Sequence, residues 1–216
     1  LPSNGITSMV VDGEFIWIGT WSGLCKINTK TFEISRINLA EGDIVRSLHK
    51  DRKQNIWIGT AHGLVRYADG TYKTYTTQNS TLSHNTIRSI WEDSDGTIWI
   101  GTYDKLNKFL PRENEFIVFD LKGEYRPELK NNLICDIKPV TDDEKSLWVG
   151  TETGLCLFNK IDGSYTRYVR KNAGLSNEVI KTIYSGPEGK LWLGTDFGLN
   201  VFDPQTSSSE RYFHNP

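Results

Sequence analysis

Residues Ile16–Leu24 read IWIGTWSGL. The phrase returns as IWIGTAHGL at Ile56–Leu64, IWIGTYDKL at Ile98–Leu106, LWVGTETGL at Leu147–Leu155 and LWLGTDFGL at Leu191–Leu199. Its tryptophans stand at 17, 57, 99, 148 and 192, so the intervals are 40, 42, 49 and 44 residues. A period of about 40–50 residues belongs either to propeller blades or to helical-pair repeats. The local pattern separates them. In the second unit, 44–50, 55–60, 63–67 and 71–76 are short runs of β-branched and aromatic residues punctuated by Gly, Asn and Asp, which is strand and turn chemistry. None keeps the three-and-four apolar spacing that a helix needs over a dozen residues. Four strands per unit make a propeller blade. The fold class is therefore all-β: a β-propeller of five four-stranded antiparallel blades, at about 1–40, 41–81, 82–128, 129–174 and 175–216, forming a single segment.

The phrase is strand B of each blade. Strand A precedes it, as in ITSMVVD (Ile6–Asp12) and TIRSIWED (Thr86–Asp93). Strand C follows the Gly-Leu, and strand D closes the unit, as in TYKTYT (Thr71–Thr76). Stacked blades bury both faces of a sheet, which favours an Ile-Trp-Ile run and places all five tryptophans in the core. The Gly after that run leaves room for close backbone approach. The Gly of Thr-x-x-Gly is suited to a positive φ in a short B–C bend. In the third unit Lys105 replaces that Gly, which puts its bend in doubt. A smaller motif precedes strand A: LPSN at 1, LSHN at 82, LKNN at 129 and LSNE at 175.

The 216 residues carry 25 basic and 27 acidic side chains, for a formal charge of -2. Nucleic-acid and membrane-surface binders normally carry a basic excess, so no nucleic-acid partner is expected. No apolar run approaches the roughly 20 residues of a membrane span. The three cysteines, Cys25, Cys135 and Cys156, have no Cys-x-x-Cys or His/Cys ligand spacing and read as small hydrophobes. No metal or other cofactor is expected. The sequence opens Leu1-Pro2-Ser3-Asn4, without Met, and has no spare strand to tie a ring. It reads as five blades cut from a longer array.

SIWEDSDGTIWIGT at 89–102 and GLSNEVIKTIYSGPEGKLWLGTDFGLNVFDP at 174–204 resemble two-component regulator propeller repeats, and the resemblance extends over all five units. It implies a periplasmic sensor region of a hybrid two-component system, of the kind found in glycan-degrading Bacteroidetes. Such propellers are usually seven-bladed and are followed by a membrane helix and a histidine kinase. Those parts would lie outside this chain, which is then an open fragment and not itself an enzyme; it would meet a membrane only through them. A part-ring exposes the faces of its end blades, which implies self-association.

The dipeptide between Thr and Gly changes from blade to blade: Trp21-Ser22, Ala61-His62, Tyr103-Asp104, Glu152-Thr153 and Asp196-Phe197. Trp21, His62, Tyr103, Asp104, Glu152, Asp196 and Phe197 are candidate ligand contacts, with aromatic, acidic and imidazole groups suited to sugar rings and their hydroxyls. Ordinary solvated turn residues are the alternative. The second residue of strand A gives another set: Thr7, Arg46, Arg88, Cys135 and Lys181. Arg46, Arg88 and Lys181 are candidates for the carboxylates or sulfates of an acidic glycan, or else for local salt bridges. Tyr125, Arg126 and His84, on the two longer D–A loops, are further candidates. Three function classes follow: a non-catalytic sensor that responds to an oligosaccharide, a protein-interaction or dimerisation scaffold, and a propeller lyase or glycosidase. The last would need a carboxylate pair such as Glu152 and Asp196, and the sequence contains no nucleophile–base–orienter set.

Overall fold

The computed structural model describes residues 1–39, 43–121 and 132–213. Its strands form five four-stranded sheets, each meandering in sequence order. The first is β1 (Ile6–Asp12), β2 (Phe15–Thr20), β3 (Gly23–Asn28) and β4 (Ile34–Ile37). The second is β5 (Val45–Lys50), β6 (Ile56–Thr60), β7 (Leu64–Ala68) and β8 (Thr71–Tyr75). The third is β9 (Ile87–Glu92), β10 (Ile98–Thr102), β11 (Leu106–Leu110) and β12 (Glu115–Phe119). The fourth is β13 (Ile134–Val140), β14 (Asp143–Thr151), β15 (Gly154–Asn159) and β16 (Tyr165–Tyr168). The fifth is β17 (Ile180–Ser185), β18 (Leu191–Thr195), β19 (Leu199–Asp203) and β20 (Ser208–Tyr212). Among the described residues, helix is confined to one turn at Arg170–Ala173 and a 3₁₀ turn at Pro187–Gly189. These are the blades that the repeat predicts. The chain divides into two compact units, Leu1–Tyr103 with Asn107–Val118, and Asp104–Leu106 with Phe119–Pro216.

Within the first unit, the phrase is the seam between neighbouring blades. Trp17 meets Tyr67 of the second blade at 5.1 Å between ring centroids, and Trp57 meets Phe109 of the third at 5.0 Å, edge-on at 69°. Such tilted and edge contacts suit the ring quadrupoles. Both indoles are buried, and each donates its Nε1–H to the aspartate that ends its own strand A: Asp12 at 3.3 Å and Asp51 at 2.8 Å. The Gly two residues after the Trp lets the next blade in. A Cβ on Gly19 would lie 2.5 Å from Val45 Cγ1, and one on Gly59 would lie 2.7 Å from Ile87 Cγ2.

The second unit repeats the device. Trp148 takes Phe202 edge-on at 5.9 Å, and a Cβ on Gly150 would approach the carbonyl of Ile180 to 3.0 Å. Trp192 departs from the sequence expectation. It is 36% exposed where Trp17, Trp57, Trp99 and Trp148 are at most 3% exposed. Its ring stacks on Tyr212 of its own blade at 6.3 Å. Among the described residues, no aromatic of a following blade reaches it, so its outer face stays in solvent.

Candidate functional site

Four of the five B–C bends are held by the hydroxyl of the phrase's threonine. Thr20, Thr60, Thr151 and Thr195 donate their Oγ1–H to the carbonyl of the Gly three residues on, at 2.8–2.9 Å. The same oxygen accepts the backbone N–H of the second dipeptide residue: Ser22, His62, Thr153 and Phe197. The glycines take φ of +124°, +156°, +129° and +88°, a region that L side chains rarely enter. Three of them also press on strand D: a Cβ on Gly63, Gly154 or Gly198 would lie 2.8, 2.5 or 2.6 Å from the carbonyl of Tyr75, Tyr168 or Tyr212. At Lys105 the hairpin still forms, with no positive φ at that residue. The bend is thus fixed by backbone and threonine, and of the dipeptide side chains only Thr153, whose Oγ1 lies 3.2 Å from Thr151 Oγ1, joins the clamp among the described residues.

The second residue of strand A has a structural identity that the sequence did not disclose. Thr7, Arg46, Arg88, Cys135 and Lys181 are each skipped in the A–B register, so each is a β-bulge. A bulged residue stands outside the ladder and its side chain is re-aimed, a device common beside binding sites.

In the first unit these features bring together Trp21, Arg46, Arg88, Tyr103 and His84. The Arg46 guanidinium lies 6.0 Å from the Trp21 ring centroid. Trp21 is 53% exposed, yet it is anchored: its backbone N–H donates to the Gly5 carbonyl at 3.1 Å, and a Cβ on Gly5 would sit 1.9 Å from the indole Cδ1. Tyr103 stacks on His84 at 5.9 Å, and its N–H donates to the Thr86 carbonyl at 3.0 Å. His84 Nδ1 accepts the Thr86 N–H at 2.9 Å. Burial lowers the Arg46 pKa from its ordinary value; Arg88 adds to that shift and Tyr103 opposes it. The Nε atoms of Arg46 and Arg88 are buried without a hydrogen-bond acceptor, and neither guanidinium has a carboxylate partner among the described residues. The local salt bridges posited for them are absent there. Nearby, the exposed His62 ring places Nδ1 2.5 Å from Oδ1 of the buried Asp43.

The candidates in the second unit are arranged differently. Lys181 forms a close ion pair with Asp196, so both are engaged with each other. Phe197 is exposed and rests on Phe213 at 5.5 Å. Glu152 is half-buried, its N–H donating to the Leu133 carbonyl at 3.2 Å. Asp104 lies 3.7 Å from Lys105. Cys156 is fully buried, and desolvation pushes its thiol up to about 11. Tyr125 and Arg126 lie outside the described residues.

Sequence reasoning missed Asn107 and Asn200, one in strand C of the third blade and one in strand C of the fifth. Each buried amide closes a two-way bond with the serine of the Leu-Ser motif: Ser83 with Asn107 (3.0 and 2.9 Å), and Ser176 with Asn200 (2.8 and 2.7 Å). The shared signal was an Asn directly after the phrase's Leu. The motif is therefore a lock on the D–A loop.

Bends clamped by Thr and Gly, with changing side chains between, define a repeat propeller whose variable side chains sit on a constant frame. The description of the two-component regulator propeller matches residues 38–62, 81–104 and 174–197. At these three stretches the chain matches two-component regulator propeller repeats. A comparison with curated proteins returns no match. Among solved structures, the chain is similar to the extracellular domain of the putative one component system BT4673 from B. thetaiotaomicron. The identity is 24% and the TM-score 0.85, over 97% of this chain and 28% of that one. It is also similar to the extracellular domain of the putative hybrid two component system BT3049 from B. thetaiotaomicron, at 28% identity and TM-score 0.81, over 98% and 29%. A virginiamycin B lyase from Staphylococcus aureus shares the fold at 14% identity and TM-score 0.74, over 98% and 71%. The chain thus spans under a third of the length of the two extracellular domains.

Proposed function

We propose that this chain is a non-catalytic, ligand-binding part of an extracytoplasmic (in a Gram-negative cell, periplasmic) sensor, and that its ligand is an anionic oligosaccharide. The extracellular domains that it resembles support the sensor reading. Among the described residues, no helix is long and apolar enough to cross a membrane; a membrane link would run through other parts of the protein. The observation that carries the ligand class is the pair Arg46 and Arg88, without acidic partners, beside Trp21 and Tyr103. A guanidinium binds carboxylate or sulfate through paired hydrogen bonds, and exposed aromatic faces stack on sugar rings. Within the same unit, His62 is a further position where such a ligand would be read.

Calorimetric titration with uronic and sulfated oligosaccharides tests the assignment. Arg88→Ala is expected to weaken binding by about tenfold or more, the worth of a charge-assisted hydrogen bond. Equal affinity in the variant would sink it. A second reading, a scaffold that self-associates, rests on the exposed aromatics of the fifth blade, Tyr184, Trp192 and Tyr212. Sedimentation that shows a monomer at all concentrations would remove it.

A further inference from the structure

The first two blades carry the same bend and differ in what it presents. Thr20 and Thr60 clamp their bends alike, each bonding the Gly carbonyl three residues on at 2.9 Å. Trp21 donates its backbone N–H to the Gly5 carbonyl at 3.1 Å, and Ala61 donates its own to the Ile44 carbonyl at 3.0 Å. The two side chains therefore leave their bends from equivalent backbone positions. Each is followed by a bulged arginine on the next blade. Arg46 comes 25 residues after Trp21 and Arg88 comes 27 after Ala61, a difference that matches the tryptophan intervals of 40 and 42. The Ala61 carbonyl also accepts the Thr86 hydroxyl at 3.1 Å, which ties the second bend to the start of the strand that carries Arg88.

The two arginines are covered differently. The Arg46 guanidinium has the Trp21 ring centroid at 6.0 Å, a cation–π distance. At the equivalent place Ala61 offers Arg88 only a methyl group. Arg88 is half-buried, its Nε has no acceptor, and among the described residues it has neither a carboxylate nor a ring for a partner. Buried donors are satisfied in nearly all native structures, and one left unmet costs free energy. A stacked guanidinium keeps its in-plane donors but has one face occupied. The absent indole thus leaves an opening over Arg88 that Trp21 closes over Arg46. Beside the opening, the third blade adds an aromatic surface. Tyr103 is stacked on His84 at 5.9 Å, and its backbone N–H bonds the Thr86 carbonyl at 3.0 Å. An open cation next to a ring surface fits a sugar whose acidic group projects from its ring.

We propose that Ala61 determines the specificity of the oligosaccharide site: by leaving Arg88 uncovered, it makes that guanidinium the dock for a sulfate or carboxylate projecting from a sugar ring that lies against Tyr103. Arg46, held under Trp21, backs the indole on which a neighbouring ring stacks. The assignment rests on the anionic-oligosaccharide reading and adds to it the place of the charge. Calorimetric titration of the whole chain with a galacturonate tetrasaccharide and a sulfated galactan tetrasaccharide tests it, in the wild type, Ala61→Trp, Arg88→Ala and the double variant. At least one ligand is expected to bind the wild type, and Ala61→Trp to weaken it by about tenfold or more. In the Arg88→Ala chain the same substitution is expected to have no further effect, because the group that it covers is gone. Should Ala61→Trp fail to fold, Ala61→Tyr takes its place in the cycle, with the phenol that the third blade already carries there. If neither ligand binds the wild type, the oligosaccharide reading falls and this assignment falls with it. If the wild type binds and the folded Ala61 variant binds equally, or if the two losses multiply in the double variant, the role of Ala61 alone is overturned.

Discussion

Trp57 and Trp192 hold the same place in the same phrase. Each stacks on a tyrosine of its own strand D, Tyr75 at 6.4 Å and Tyr212 at 6.3 Å, with nearly equal tilts of 21° and 22°. Yet Trp57 is 1% exposed and Trp192 is 36% exposed. The difference is Phe109, which comes from the third blade and meets both Trp57 and Tyr75 edge-on at 5.0 and 5.6 Å. A blade therefore supplies an aromatic socket, and burial is completed by the knob of its neighbour. The same residues are core in one setting and surface in another.

This contrast has a graded set of consequences, readable by denaturant or thermal unfolding. Trp57→Ala removes a fully enclosed indole and its bond to Asp51, and is expected to cost about 3–5 kcal/mol. Phe109→Ala leaves the socket intact without its knob. It is expected to cost about 3 kcal/mol and to shift Trp57 fluorescence to the red, making Trp57 resemble Trp192. A loss as small as that of a surface substitution would mean that the knob is not what buries the indole. Gly63→Ala forces φ of +156° and a contact of 2.8 Å with the Tyr75 carbonyl, and is expected to cost about 1–3 kcal/mol. Trp192→Ala should be the mildest, at about 1 kcal/mol. A cost equal to that of Trp57→Ala would break the comparison, because it would require the fifth blade to be covered in solution.

Much of the frame was legible because it is local. The alternation of short β-branched runs and Gly/Asn/Asp turns marks the strands within one or two residues, and the roles of Gly19, Gly59 and the bend glycines follow from steric rules. The partners of these residues were not legible. Nothing in LWLGTDFGL distinguishes its indole from the other four, because its exposure depends on what stands opposite. Nor does the residue type at the second place of strand A announce a bulge, which is a property of pairing between two strands. Arg46, Arg88 and Lys181 look alike in sequence, but only Lys181 has Asp196 within reach. The serine–asparagine locks were likewise hidden, since Ser83 and Asn107 are joined across 24 residues.

The skipped residue of strand A carries an evolutionary implication. Since Thr7, Arg46, Arg88, Cys135 and Lys181 lie outside the A–B register, the sheet accepts a hydroxyl, a guanidinium, a thiol or an amine there. A gene that encodes such blades can change this side chain one codon at a time while the ladder around it is kept, so duplicated units can diverge there on one mould.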